Sequence, residues 1–126
     1  MQKKCIPLKV SGPFHSTLLK GAGELLGKEL EKVEVKKPQI TYVCNVDASF
    51  VMEETNIKEL LQKQVSSSVC WQQSVENMIA CGVDTFVEIG PGKTLSAFMK
   101  KINKEVKVVN VETIEDLDKL MEEWKC

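Results

Sequence analysis

The stretch DTFVEIGPGKTLSAFMKKINKEVKVVNVET, residues 84–113, decides the fold. Asp84 to Ile89 is a short β-branched and aromatic run, and it stops at Gly90, Pro91 and Gly92, a strong turn signal. Thr94 to Ile102 then carries Leu95, Phe98, Met99 and Ile102 at helical spacing, after which Glu105 to Val111 returns to a β-branched run. Strand, turn, helix and strand in that order describe a crossover unit, because parallel neighbours need a long connection between them. The expected class is therefore α/β, with strands alternating with helices in a mostly parallel sheet.

The same pattern extends outward from this unit. Downstream, Thr113 and Asp116 form a capping pair for a last helix whose apolar stripe is Ile114, Leu117, Leu120, Met121 and Trp124. Upstream, a helix places Trp71, Val75, Met78 and Ile79 on one face and ends at Gly82, the expected left-handed cap. The serine run Ser66 to Ser68 separates it from the helix IKELLQKQV, residues 57–65, which Asn56 and Glu59 are expected to cap. QITYVCNV, residues 39–46, reads as a strand, and Asp47 to Asn56 as the loop after it. A longer helix runs from about Ser16 to Val33. Its glycines, Gly21, Gly23 and Gly27, each weaken it by up to about 1 kcal/mol relative to alanine, which points to another backbone passing close by. KCIPLKV, residues 4–10, alternates as a strand, with Pro7 marking an edge or an end.

Composition narrows the possible partners. The chain has 126 residues, 43% hydrophobic and 28% charged, with a net charge of -1 from 17 basic and 18 acidic groups. Every basic residue is lysine, so the chain offers no guanidinium fork for a carboxylate or phosphate. No basic run provides a nucleic-acid footprint, and no apolar stretch approaches the roughly 18 residues of a bilayer span. The N-terminus lacks the apolar core and cleavage site of a signal peptide, so a cytoplasmic location is expected. The cysteines, Cys5, Cys44, Cys70, Cys81 and Cys126, are scattered, form no Cys-x-x-Cys pair and have one histidine beside them. They read as thiols in a reducing compartment rather than as a structural metal centre.

Two places are candidates for chemistry. His15 lies in SGPFHS, between a strand and a helix, where Gly12 and Pro13 define a tight backbone path. The positive end of the following helix favours a neutral imidazole, the form a general base needs. The competing reading is that His15 only caps or packs. The second place is VEIGPGKTLS, residues 87–96, which lacks both glycine-rich phosphate-binding spacings and reads as a structural turn with a solvated Lys93. No Gly-x-Ser-x-Gly nucleophile elbow occurs in the chain. A Cys–His pair of His15 with Cys44, Cys70 or Cys81 is formally available, but nothing in the sequence activates any of these thiols.

Taken in order, CIPLKVSGPFHSTLLKGAGELL (5–26), YVCNVDA (42–48), QVSSSVCWQQSVENMIACGVDTFVEIGPGKTLS (64–96) and VVNVET (108–113) resemble the C-terminal part of the malonyl-CoA:acyl-carrier-protein transacylases. The resemblance implies the C-terminal part of an α/β-hydrolase-like acyltransferase large subdomain over residues 11–126. Residues 1–10 would be the end of a small ferredoxin-like subdomain or a connecting strand. It implies acyl transfer from malonyl-CoA, as substrate, to the phosphopantetheine thiol of an acyl carrier protein, with no covalently bound cofactor and no metal. His15 matches the catalytic histidine of that family. Cys70, before the tryptophan of VCWQQSVE, matches the position whose main-chain carbonyl orients that histidine. Phe14 matches a substrate-pocket position where, in related acyltransferase domains, phenylalanine accompanies malonyl and serine accompanies methylmalonyl.

The family's nucleophilic serine, its oxyanion donor segment and its carboxylate-binding arginine have no counterpart in these residues. The resemblance therefore implies a chain that is inactive alone and is completed by a complementary N-terminal segment. The alternative is a non-catalytic acyltransferase-like domain that binds a partner chain or a carrier protein.

Overall fold

A computed structural model of the chain describes residues 11–125. The strand expected over 4–10 lies outside the described residues. The chain forms two compact units that divide between Trp71 and Gln72, within the stretch that the resemblance assigns to a single subdomain.

In the first unit, a 3-10 turn (Thr17–Leu19) leads into α1 (Lys20–Glu31), a short hairpin of β1 (Tyr42–Val43) and β2 (Phe50–Val51) follows, and α2 (Ile57–Gln64) closes it. The strand expected over 39–46 shrinks to two residues because a turn uses the rest. Cys44 N–H donates to Ser49 O, Ala48 N–H to Cys44 O, and Ser49 N–H to the Asp47 carboxylate. The return strand β2 occupies what reads as loop in the sequence. A turn this tight joins strands only in antiparallel fashion, and β1 and β2 pair that way, Tyr42 opposite Val51. Cys44, Val51 and Ile57 form a small core, with Val35, Val46 and Leu60 packed against it.

The cap expected from Asn56 and Glu59 does not form. A 3-10 turn (Glu54–Asn56) runs directly into α2 and holds Asn56 in helical rather than extended geometry, with no side-chain cap bond. A capping side chain reaches back only from an extended backbone.

α1 and α2 pack against each other, and the glycines of α1 explain how closely. A Cβ on Gly23 would stand 3.0 Å from the Gln62 carbonyl oxygen, and one on Gly27 would run into the Gln62 side chain. Gly21 faces open space. The close approach expected from the glycines is present, at Gly23 and Gly27.

α3 (Trp71–Ala80) leads into the second unit, which continues with β3 (Thr85–Ile89), α4 (Thr94–Ile102), β4 (Lys107–Val111) and α5 (Ile114–Glu123). α3 ends as expected at Gly82, whose N–H donates to Ile79 O while Val83 N–H donates to Met78 O, a Schellman closure. β3 and β4 pair in parallel, Thr85 opposite Lys107 through Ile89 opposite Val111. α5 is capped as the sequence indicates: Thr113 accepts from Asp116 N–H, and the Asp116 carboxylate accepts from Thr113 N–H. Among the described residues of the second unit, Val75, Met99, Val111 and Leu120 are the buried apolar side chains.

The alternation of strands and helices stands, but the single mostly parallel sheet does not appear among the described residues. There are two two-stranded sheets, one antiparallel and one parallel. Only β3–α4–β4 supplies the crossover that a parallel pair requires.

Candidate functional site

His15 sits at the entrance to α1 with φ 55°, in the left-handed region that few non-glycine residues occupy. That conformation costs about 1–2 kcal/mol and is held by its surroundings. Ser16 Oγ donates to Pro13 O at 2.7 Å, and Leu19 N–H to Ser16 O at 3.0 Å. The turn aims the imidazole at the end of α2, where His15 Nδ1 lies 3.2 Å from the Gln64 main-chain oxygen. The last carbonyls of a helix have no intrahelical partner, and Gln64 closes α2.

A carbonyl only accepts, so the proton of this bond belongs to Nδ1. In a neutral ring that fixes the tautomer and leaves the Nε2 lone pair available. The ring is exposed, so Nε2 is free to meet a group brought to it.

The carbonyl that the structure gives His15 is thus Gln64's, where the resemblance points to Cys70. Cys70 is tied to the turn after β1: its N–H donates to Asn45 O at 2.8 Å and its Sγ to Val46 O at 3.4 Å. The partner of His15 Nδ1 is an oxygen rather than a thiol, and no disulfide joins the described cysteines. Phe14 precedes His15 and is 64% exposed, its ring folded back over Gly12. Among the described residues no cluster of metal-ligating side chains occurs, and no helix is long and apolar enough to cross a membrane.

The groove between α1 and α2, about 470 Å³, is lined by Glu24, Lys28, Glu31, Lys58, Glu59 and Gln62. It mixes both charges and contains no serine or cysteine.

The second unit shows why VEIGPGKTLS is not an anion site. Gly90 and Gly92 have φ 131° and 90°, which side chains rarely adopt, and they bend the chain from β3 into α4. The N–H groups that open α4 are already taken by the protein's own carboxylate: Glu88 accepts from Leu95 N–H at 3.0 Å, Ser96 N–H at 2.8 Å and Ser96 Oγ. The Ser96 hydroxyl, foremost, and these amides hold the Glu88 carboxyl below its ordinary range. Asn110 Nδ2, from β4, donates to Gly92 O at 2.8 Å, and Glu112, just after β4, accepts from Gly92 N–H at 3.3 Å. Lys93 is exposed. The loop is a pinned structural turn.

The chain is 46% identical over 116 residues to the malonyl CoA-acyl carrier protein transacylase of Bacillus subtilis (strain 168), covering 90% of this chain and 37% of that protein. The chain is a relative of the malonyl-CoA:acyl carrier protein transacylases and corresponds to a C-terminal portion of them. The transacylase of Clostridium perfringens superposes with TM-score 0.86 at 46% identity over 95% of this chain and 38% of its own. A malonyl-transacylase solved in complex with a type II PKS acyl-carrier protein superposes with TM-score 0.88 at 33% identity, over 94% of this chain and 38% of its own. The chain therefore spans little more than a third of the transacylases it matches. No protein-family model matches it.

Proposed function

We propose that the chain is the histidine-bearing portion of a malonyl-CoA:acyl-carrier-protein S-malonyltransferase, with His15 as its general base and acid. The observation that carries this reading is the His15 Nδ1 to Gln64 O bond at 3.2 Å, which presents Nε2 as the base. The relatives' names supply the substrates, malonyl-CoA and acyl carrier protein. A serine on a complementary N-terminal segment attacks the malonyl thioester while Nε2 takes the hydroxyl proton, and the same proton then goes to the departing CoA thiolate. The carrier-protein thiol reverses these steps: its proton passes to Nε2, its sulfur takes the malonyl group, and the serine is regenerated. Phe14, beside the base, narrows the space next to the malonyl α-carbon. Fatty acid biosynthesis in the cytoplasm is the setting this chemistry fits.

The chain has neither a serine elbow nor an arginine, and alone it is inactive in this reading. The test is transfer of labelled malonyl from CoA to holo-carrier protein. We expect no transfer by the chain alone, transfer once it is co-expressed with the N-terminal portion of a transacylase relative, and loss of at least about a hundred-fold with His15→Ala. Labelling of a serine on the isolated chain, or full activity of the complemented His15→Ala variant, would overturn the proposal.

A further inference from the structure

We propose that Gly23 is a positioning residue for His15: its missing side chain sets the spacing of α1 and α2 at which Nδ1 meets the Gln64 carbonyl. This rests on reading His15 as the base for its catalytic consequence; the geometry itself does not depend on that reading.

Both ends of the His15–Gln64 bond are tied to one helix contact. His15 enters α1 through the single 3-10 turn Thr17–Leu19. Gln64 belongs to the last turn of α2, and that turn is where α1 touches down. Gly23 is the buried residue of α1, and a Cβ there would stand 3.0 Å from the Gln62 main-chain oxygen and 3.7 Å from the Val65 Cβ. The residues on either side of Gln64 are thus the ones that limit how near α1 comes. Backbone cannot swing aside as a side-chain end does, so a Cβ at Gly23 would move the two helices apart by a few tenths of an ångström.

The His15 bond has no room for that shift. At 3.2 Å it is already at the long edge of a nitrogen–oxygen hydrogen bond, and beyond about 3.5 Å the interaction is largely gone. Gly27, one turn further along α1, meets only the flexible amide end of Gln62, which can turn away. Gly21, on the same helix, meets nothing within 4 Å. Of the three glycines, Gly23 alone couples a backbone clash to the histidine.

The chain contains one histidine, so its ring signals are unambiguous. Long-range proton–nitrogen correlation spectra of the 126-residue chain at a pH where the ring is neutral report which nitrogen carries the proton. The variants are Gly23→Ala, Gly23→Leu and, as the control, Gly21→Ala, with the backbone amide spectrum monitoring the fold. Gly23→Ala gains helix propensity, so it remains folded and decides the matter even if Gly23→Leu does not fold. We expect the parent and Gly21→Ala to share an Nδ1–H-enriched ring, and Gly23→Ala to lower the Nδ1–H to Nε2–H ratio by about two-fold or more. A folded Gly23→Ala with the parent's ratio would overturn the proposal, as would a parent ring with no Nδ1–H enrichment.

In the complemented transacylase, Gly23→Ala should lower kcat with KM unchanged, whereas Gly21→Ala should leave both unchanged. Full activity of His15→Ala there, alongside the expected ring spectra, would sink the functional reading while leaving the positioning role intact.

Discussion

At His15 the protein holds a strained backbone and a specific tautomer in the same residue. The histidine was legible from the sequence because its motif is made of side chains. Its partner was not, because a main-chain carbonyl carries no residue signature, and the resemblance set that role at Cys70 rather than Gln64. The signal that could have found it is the end of α2, where unpaired carbonyls must find donors. Phe14 belongs to the same residue scale. Its ring folds back over Gly12 and the residue is exposed, so the role proposed for it is steric rather than structural. In the complemented enzyme we expect Phe14→Ser to raise transfer of methylmalonyl relative to malonyl by about ten-fold, the low end of what one methyl group is worth in an apolar pocket. Competition between the two labelled CoA esters measures the ratio, and an unchanged ratio removes Phe14 from the pocket.

At the scale of elements, helix ends separate what the sequence shows from what it hides. The Thr113–Asp116 cap was legible because both partners lie within one turn of an extended residue, while Asn56 failed because a 3-10 turn precedes α2. The link from Glu88 to the start of α4 joins residues across the Gly-Pro-Gly turn, and neither periodicity nor spacing shows it. That link makes stability depend on pH in a definite direction. The hydrogen bond from Ser96, first, and the amides of Ser96 and Leu95 lower the Glu88 carboxyl from its ordinary value of 4.5. Its contribution is therefore complete above that value and is lost as pH falls through the lower folded-state value. Asp116 behaves in the same sense, lowered from 3.8 by the N–H groups of Glu112 and Thr113. Melting temperature measured from pH 7 to pH 3 should be flat at first and fall below about pH 4.5. Glu88→Gln should melt lower at pH 7 and fall less steeply in acid, and an unchanged acid limb would show that the link contributes nothing.

At the scale of the whole molecule, each unit leaves apolar surface uncovered. On β3, Ile89 is 80% exposed, and on α5 Ile114 is 75% exposed, with Leu117, Met121 and Trp124 also exposed along the stripe. The stripe was legible from spacing, but what covers it was not, because a periodic pattern says which face is apolar and not what lies against it. Parallel strands are ordinarily buried on both faces, and the chain spans 37% of the transacylases it matches. A complementary portion that binds these surfaces stabilises the fold by mass action. At a hundred-fold excess over its dissociation constant it contributes about 2.7 kcal/mol, roughly a 10 °C rise in melting temperature for a chain of this size. Calorimetry with and without the N-terminal portion of a relative tests this, and a melting temperature independent of that portion's concentration excludes such binding. Among the described residues β3 and β4 pair only with each other, so each carries an outer row of peptide groups with no strand beside it. Such a row is a template for further copies of the same strand. For this chain on its own, loss of dispersed protein is then expected to rise with its concentration, because every added molecule supplies another edge to which the last one can bind.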